Sequence, residues 1–180
     1  MLKRFLLSLS GIIFFQTLFS QIPSGYYDSA TGLTGESLKT ALHNIIDDHT
    51  ELSYDDVWDA LKDTDEDPDN TSNVILLYTG VSSPKTNNGG GVSEWNREHT
   101  WAKSHGGFGT TMGAGTDVHH LRPTDVTVNS KRSSLDFDNG GTLYTDPTVL
   151  VNGSVISFNT NCRYDDDSWE PSVIIIKLIN

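Results

Sequence analysis

The chain has 180 residues, with 24 Asp or Glu against 12 Lys or Arg, and a formal net charge of −12 at pH 7. Taken over the whole chain, this acidic balance argues against a polyanionic partner. The length allows one domain with a real hydrophobic core. Cys162 is the only cysteine, which excludes an internal disulfide, so stability must come from packing and from any bound metal.

The first twenty residues have the layout of a secretory signal peptide. Lys3 and Arg4 precede an apolar stretch at residues 5–15, and Leu18-Phe19-Ser20 stands before Gln21. This stretch is too short and too interrupted for a convincing membrane span, although a retained anchor is the alternative. We therefore expect a secreted protein, extracellular or periplasmic, with a leader at residues 1–20 and one domain at residues 21–180. After leader removal, no membrane contact and no obligate protein partner is expected.

Charge is distributed unevenly along the chain. Eleven acidic residues accompany the single Lys62 between Asp47 and Asp69. Between Glu94 and Arg132, five Lys or Arg and four His stand with only four Asp or Glu. We expect the acidic load to lie away from a site in the second segment, where binding of a polyanion would be modest and sensitive to salt.

In the first half of the chain, apolar residues at helical spacing predict two amphipathic helices, at residues 34–48 and 53–62, the second capped by Ser53. The acidic run at residues 63–69 has Pro68 where a calcium-binding EF-hand needs Gly, and Val74 where its last Glu should stand. A solvated acidic loop is the favoured interpretation. Residues 74–78 then form a short strand candidate.

The second half predicts strands, long loops and one helix. Residues 80–115 are rich in Gly, Ser, Thr and Asn, which indicates loops around a short segment at 94–101. Residues 116–121 form a strand candidate, and Pro123-Thr124-Asp125 is a helix-start signal. Further strands are predicted at 142–144, 148–151 and 154–158, with a turn at Asn152-Gly153. The resulting fold class is α+β.

Three short segments together carry the parts of a metal-assisted phosphodiesterase. They are Asn-Arg-Glu-His at 96–99, Thr-Asp-Val-His-His-Leu-Arg-Pro at 116–123 and Val-Asn-Ser-Lys-Arg at 128–132. Phosphodiester cleavage needs a base for water, a hard divalent cation and cationic side chains that hold the strand. His99 can be the base, and Glu98 and Asn129 offer the oxygen ligands that Mg²⁺ or Ca²⁺ prefers. The candidates for phosphate contact are Arg122, Lys131 and Arg132.

At these residues the chain resembles the endonuclease I family of secreted bacterial nucleases, within the ββα-metal (His-Me finger) superfamily, and especially its extracellular-ribonuclease branch. The resemblance also includes residues 25–28, 38–42, 54–60 and 168–171. It implies a ββα-metal core and a secreted, divalent-metal-dependent endonuclease. Such an enzyme cuts DNA, RNA or both with little sequence specificity and leaves 5′-phosphates.

The resemblance also implies roles for single residues. His99 is the base, and Glu98 and Asn129 are ligands of Mg²⁺, with Ca²⁺ or Mn²⁺ as substitutes, while water and phosphate complete the coordination. Arg122 is the preferred choice for stabilising the transition state, and Arg132 is the alternative. Nucleic-acid contact is assigned to Arg97, His120, Lys131 and Arg132.

Asp117 and His119 are assigned a supporting role around the site. As neighbours on a strand, His119 and His120 would point to opposite faces, so at most one looks into the site. Asp117 either orients a histidine or makes a strand-start hydrogen bond. For Trp95 and Trp101, burial is favoured over stacking on bases.

Three alternatives stay open. A zinc hydrolase could use His99, His105, His119 and His120, but their spacing matches no common zinc signature. Asn129 could instead cap a helix or form a turn with Ser130. The protein could also be an inactive metal-binding or nucleic-acid-binding remnant. That last possibility is suggested by the carboxyl end, where residues 173–180, six of them apolar, replace the family's long helical region and predict a truncated, poorly covered core.

Overall fold

The computed structural model describes residues 22–47 and 49–172. The expected leader and the apolar segment at 173–180 lie outside the described residues. The described residues contain both helices and strands, which confirms the α+β class. They fall into two compact units that divide between His49 and Thr50. The single nuclease domain at 21–180 stays a prediction. No helix in the described ranges is long and apolar enough to cross a bilayer.

The first unit consists of a 3-10 turn at Asp28–Ala30 followed by helix α1, Gly35–Ile46. The helix confirms the prediction at residues 34–48, with Thr34 in extended conformation as its amino-terminal cap residue. Its apolar side chains recur at helical spacing, which is why sequence pattern alone could find it.

The second unit begins with helix α2, Val57–Thr64. It starts later than predicted, but Ser53 does prepare its first turn. The Ser53 hydroxyl accepts a hydrogen bond from the Asp56 backbone N–H at 3.2 Å, and the Asp56 carboxylate accepts from the Ser53 N–H at 3.1 Å. This reciprocal pair satisfies two backbone donors that no helical partner could reach.

A three-stranded antiparallel sheet follows, made of β1 (Glu66–Asp67), β2 (Asn70–Ile75) and β3 (Ser82–Pro84). The prediction of a solvated loop at residues 63–69 is wrong in part: five of the seven residues are exposed, but residues 63–64 belong to α2 and residues 66–67 to β1. Asp65 and Asp67 are buried, because Asp65 pairs with Arg122 and Asp67 accepts a hydrogen bond from the Ser82 hydroxyl. The strand predicted at 74–78 is also displaced, since β2 ends at Ile75.

Strands β4 (Trp95–His99) and β5 (Leu121–Asp125) form a separate antiparallel pair, in register from Trp95 opposite Asp125 to His99 opposite Leu121. Helix α4 (Val126–Arg132) follows β5 directly, and the Asp125 carboxylate caps it by accepting from the N–H groups of Thr127 and Val128. The helix-start signal is therefore confirmed. A short helix α3 (Lys103–Gly106) lies in the long connection between the strands.

The strand predicted at residues 116–121 is wrong in position. A 3-10 turn at Ala114–Thr116 precedes β5, and the Asp117 carbonyl accepts hydrogen bonds from the N–H groups of His120 and Leu121. That carbonyl closes a turn instead of joining a strand ladder. His119 and His120 consequently lie in a turn, and strand alternation does not govern where their rings point.

The carboxyl-terminal part of the described chain is a four-stranded sheet. Its strands are β6 (Asp136–Phe137), β7 (Thr142–Val151), β8 (Ser154–Tyr164) and β9 (Ser168–Glu170), in the order β6-β9-β8-β7. The turn predicted at Asn152-Gly153 is confirmed, and both residues have positive φ, 49° and 78°. Two consecutive positive φ values match the twist of a two-residue hairpin.

Two hydrophobic clusters hold the β4–β5–α4 unit in place. The first contains residues of α2, of strands β2, β4 and β5, and Leu76 just after β2: Val57, Leu61, Val74, Leu76, Trp95 and Leu121. The second contains Leu77, Tyr78, Val128, Cys162 and Trp169. Both strands of the pair contribute to the first cluster and α4 contributes to the second, so the unit is fixed from two sides. Burial is confirmed for Trp95 and wrong for Trp101, which is 66 % exposed.

A buried carboxylate pair lies at the start of α4. Burial and the nearby Asp146 carboxylate together raise the pKa of Asp125 to about 6, although the N–H groups of Thr127 and Val128 act to lower it. The folded protein therefore holds this proton more tightly than the unfolded chain, so the Asp125 contribution to stability falls as pH rises from about 4 to about 6.

We expect Asp146→Asn to raise the melting temperature at pH 7 by about 2–5 °C, because it removes a like charge without changing shape. Asn retains the oxygen that accepts from Thr148. The difference from wild type should shrink toward pH 4, where Asp125 is protonated in either protein. Melting curves from pH 4 to pH 7.5 test this, and a variant that melts below wild type at pH 7 would contradict it.

Candidate active site

Glu98 lies in the interior beside α4, with only 3 % of the residue exposed. The Tyr78 hydroxyl donates to its Oε1 at 2.7 Å, and the Arg132 guanidinium lies 3.2 Å from the same oxygen. Burial raises the pKa of Glu98 to about 7, although Arg132 and Tyr78 both act to lower it. The carboxylate is therefore easily protonated, and a positive charge at its second oxygen would favour the ionised form.

Arg132 connects the end of α4 to the end of β4. Its guanidinium donates to the His99 carbonyl at 3.1 Å and to the Thr100 carbonyl at 2.9 Å, in addition to pairing with Glu98. The side chain is buried, so in this arrangement it is bonded to the protein interior and not presented to a phosphate. The direct phosphate contact predicted for Arg132 does not fit this placement.

Asn129 faces β4 from α4, and its Nδ2 donates to Oδ1 of Asn96 at 2.7 Å. Asn96 and Glu98 are two residues apart on a strand, which places both on the same face. Asn129 and Glu98 therefore lie on the same side of β4. The alternative that the Asn129 side chain caps α4 is not realised, since Asp125 makes those hydrogen bonds.

The side-chain oxygens of Glu98 and Asn129 suit a hard cation. Both side-chain partners of Glu98 contact Oε1, and the Asn129 hydrogen bond uses Nδ2, which leaves Glu98 Oε2 and Asn129 Oδ1 as potential ligands. Across residues 22–47 and 49–172, no group of three or more His, Cys, Asp or Glu is placed to hold a metal ion. The zinc alternative therefore has no histidine cluster to support it in the described chain.

His99 is the last residue of β4 and leaves the strand on the face opposite Glu98. Its Nε2 lies 2.9 Å from the Gly115 carbonyl oxygen, which can only accept. Nε2 therefore carries the proton of the neutral ring, and Nδ1 is left as a base. Burial lowers the pKa of His99, and the neighbouring His120, Lys103 and Arg97 lower it further, so the ring is held neutral.

Aromatic rings surround His99. Tyr54 stacks beside it with ring centroids 5.9 Å apart, and the rings of Phe108 and His120 lie at 5.9 and 5.6 Å. His120 is itself fixed, because its Nε2 lies 2.7 Å from the Ala114 carbonyl. These contacts restrict the orientation of the imidazole, as a general base requires.

Arg97 and Arg122 are both held by the acidic segment. The Arg97 guanidinium lies between the rings of Tyr54 and Trp58, 3.6 and 4.0 Å from their centroids, and 3.8 Å from the Asp55 carboxylate. Burial lowers the pKa of Arg97, and Tyr54 and Asp55 partly restore it. Arg122 pairs with the buried Asp65 at 2.6 Å. The expectation that the acidic load lies away from the site is therefore wrong.

The remaining predicted residues lie toward the surface. The Lys131 ammonium sits 3.5 Å from the centroid of the Tyr164 ring. Asp117 accepts from the His119 N–H at 2.9 Å and lies 2.8 Å from its Nδ1, so it does orient a histidine. However, the His119 side chain is 93 % exposed. The pair therefore faces solvent.

The structure thus brings Glu98 and Arg132 together, places Asn129 on the same side of β4 through its contact with Asn96, and places the His99 ring on the other face of the strand. Sequence reasoning missed Tyr78, Asn96 and the Gly115 carbonyl. Asn96 could have been found, because it stands two residues before Glu98 on the same strand face. Tyr78 and Gly115 carry no local signal, since only the folded chain brings them to residues 98 and 99.

The comparisons agree with the resemblance seen in the sequence. The sequence model described as Endonuclease I matches residues 34–172. The chain therefore belongs to the endonuclease I family.

It is 60 % identical over 146 residues to the extracellular ribonuclease of Bacillus subtilis (strain 168), and 59 % identical over 146 residues to the extracellular ribonuclease of Bacillus amyloliquefaciens. Each alignment covers 81 % of this chain and 46 % of the relative. The chain thus spans about half the length of the curated relatives it matches. No solved structure matches it.

Proposed function

We propose that the protein is a secreted, divalent-metal-dependent endonuclease that hydrolyses phosphodiester bonds of DNA, RNA or both with little sequence specificity. The β4–β5–α4 unit would be its ββα-metal core. The observation that carries the proposal is the placement on β4 of His99, with its Nε2 bonded to Gly115, and of Glu98 on the opposite face, the face that Asn129 contacts through Asn96. Family membership and the names of the two extracellular ribonucleases support the same activity.

Glu98 and Asn129 would hold Mg²⁺, with Ca²⁺ or Mn²⁺ as substitutes. The bound cation supplies positive charge for the phosphate and the leaving oxygen. Arg132 would favour the ionised form of Glu98 and join it to the His99 and Thr100 carbonyls, and Asn96 would orient the Asn129 amide. With only two protein ligands, water and phosphate would complete the coordination.

His99 would take a proton from the attacking water through Nδ1, because its hydrogen bond to Gly115 keeps the other nitrogen protonated. Attack opposite the 3′ oxygen leaves a 5′-phosphate on the product. No ribose 2′ hydroxyl takes part, so DNA and RNA are both possible substrates. Since β4 ends at His99, side chains from both faces of the strand could reach a phosphate bound at that end.

Positive side chains would hold the substrate around this point. We keep Arg122 as the transition-state residue, positioned by Asp65, and Lys131, His120 and Arg97 as substrate contacts. Asp117 and His119 would shape the outer edge of the site. The buried Arg132 would act through Glu98 and the β4 backbone instead of touching phosphate.

The proposal predicts metal-dependent cleavage that depends on Glu98 and Asn129. Plasmid and RNA substrates should be cut in Mg²⁺ and left intact in EDTA. Glu98→Gln and Asn129→Ala should each weaken Mg²⁺ binding at least about tenfold, with activity partly recovered at high Mg²⁺, because supporting residues alone change metal affinity by 10–100-fold. Titration calorimetry and a nicking assay measure both effects.

Ser130→Ala is the matched control, since Ser130 is exposed on α4 next to Asn129 and its hydroxyl bonds only the helix backbone. Cleavage that persists in EDTA would contradict the metal requirement. A wild-type protein that binds metal or nucleic acid and cuts neither substrate would favour the inactive-remnant alternative. Unchanged Mg²⁺ affinity in both variants would place the cation elsewhere.

A further inference from the structure

A cavity of about 340 Å³ lies next to the candidate active site. Its walls include two aromatic side chains that are unusually open to solvent, Trp101 at 66 % and Phe137 at 47 % exposure. Neither residue belongs to the two hydrophobic clusters. Large exposed aromatic surface around a concave site is typical of ligand binding.

The walls of this cavity are fixed by the fold. Phe137 lies on β6 and pairs with Trp169 of β9, and the Arg132 guanidinium carbon lies 4.9 Å from the Phe137 ring centroid. Thr100, which also lines the cavity, donates from its N–H and its hydroxyl to the His120 carbonyl at 2.9 Å. The cavity therefore exists without a ligand, which reduces the entropy lost on binding.

Polar groups at the same cavity can form hydrogen bonds with the edge of a flat ligand. The His105 Nδ1 lies 3.2 Å from the Asp136 carboxylate, whose side chain is largely exposed. Together they offer hydrogen-bond donors and acceptors beside the aromatic rings. The Asp136 charge would repel a phosphate in the cavity, so a neutral aromatic ring with polar edges is the better occupant.

The position of the cavity connects it to the strand being cut. Arg132 lines the cavity and also contacts Glu98, and Thr100 lines it directly after His99. A nucleotide with its phosphate at the end of β4 would therefore have its base within reach of Trp101. In a duplex that base is stacked and paired, so its face is not available to a protein ring.

We propose that this cavity binds one unpaired nucleobase of the substrate, which makes the protein prefer single-stranded nucleic acid over duplex. The inference rests on the proposed nuclease function. Trp101 supplies a stacking surface, Phe137 a second aromatic wall, and His105 with Asp136 the polar edge. Because stacking accepts every base, the preference concerns strandedness and leaves cleavage broadly independent of sequence.

Binding is measured in EDTA, where no cleavage is expected, by fluorescence polarisation of labelled oligonucleotides. The ligands are a short single strand, the same strand with abasic sites and the matched duplex. Wild type should bind the base-bearing single strand several-fold more tightly than the other two. Trp101→Ala should lower the affinity for that single strand about tenfold and change the affinity for the abasic strand and the duplex little. Trp101→Phe should retain most of the wild-type affinity.

Val155→Ala is the control, since Val155 is 57 % exposed on β8 and is not among the residues that line the cavity. Equal wild-type affinity for base-bearing and abasic strands would overturn the base cavity, as would an equal loss on single strand and duplex in Trp101→Ala. Failure of the nuclease proposal would appear separately, as absent cleavage in Mg²⁺ with base-dependent binding intact. Melting curves confirm that each variant is folded.

Discussion

Replacing His99 with alanine should reduce cleavage by about 10²-fold or more while nucleic-acid affinity stays within a few-fold of wild type. The reason is geometric. The Gly115 carbonyl accepts a hydrogen bond from the protonated Nε2 of His99, and burial lowers the pKa of the ring. Nδ1 is therefore an unprotonated acceptor at physiological pH. A base of this kind acts on the water and adds little to ground-state binding of the strand.

His43→Ala is the matched control, because His43 is an exposed histidine on α1 whose ring lies 3.9 Å from the Asp47 carboxylate. It should retain most of the cleavage activity. Initial rates of plasmid nicking and polarisation binding, measured on the same preparations, separate chemistry from affinity. If His99→Ala keeps more than about a tenth of wild-type cleavage, His99 is not the base.

Replacing Arg132 with alanine should destabilise the protein by about 3–5 kcal/mol, because it leaves the buried Glu98 carboxylate without its ionic partner. The same change removes the donors to the His99 and Thr100 carbonyls. Loss of activity should accompany loss of stability, since the end of β4 and the end of α4 are no longer joined. Chemical denaturation measures the free energy of unfolding directly.

Lys131→Ala is the control for this variant, since Lys131 is the neighbouring cation and its ammonium lies over the face of the Tyr164 ring. Its loss should cost about 1 kcal/mol or less. Adding Glu98→Gln to Arg132→Ala should recover part of the stability, because the neutral amide needs no counter-charge. An Arg132→Ala protein that is as stable as wild type would show that the buried pair is not an essential brace.

Local sequence signals determined several parts of this protein. The helices at 34–48 and 53–62 follow from apolar spacing, the Asn152-Gly153 turn from its need for positive φ, and the start of α4 from the Asp125 cap. The order of the three motif segments identified the family, which the comparisons confirmed. Each signal lies within a few residues of the structure it predicts, so no distant part of the chain is needed to read it.

Tertiary structure alone decided the surroundings of the site. The buried Asp65 pairs with Arg122, so part of a segment predicted as a solvated loop lies in the interior. Glu98 accepts a hydrogen bond from the Tyr78 hydroxyl, twenty residues away along the chain. The backbone bonds of the Asp117 turn moved the second strand to Leu121–Asp125. Trp101 is exposed, although a tryptophan is more often buried. Such outcomes depend on which group, distant in the sequence, lies beside a buried charge or backbone donor in the folded chain. No pattern along the sequence encodes that pairing.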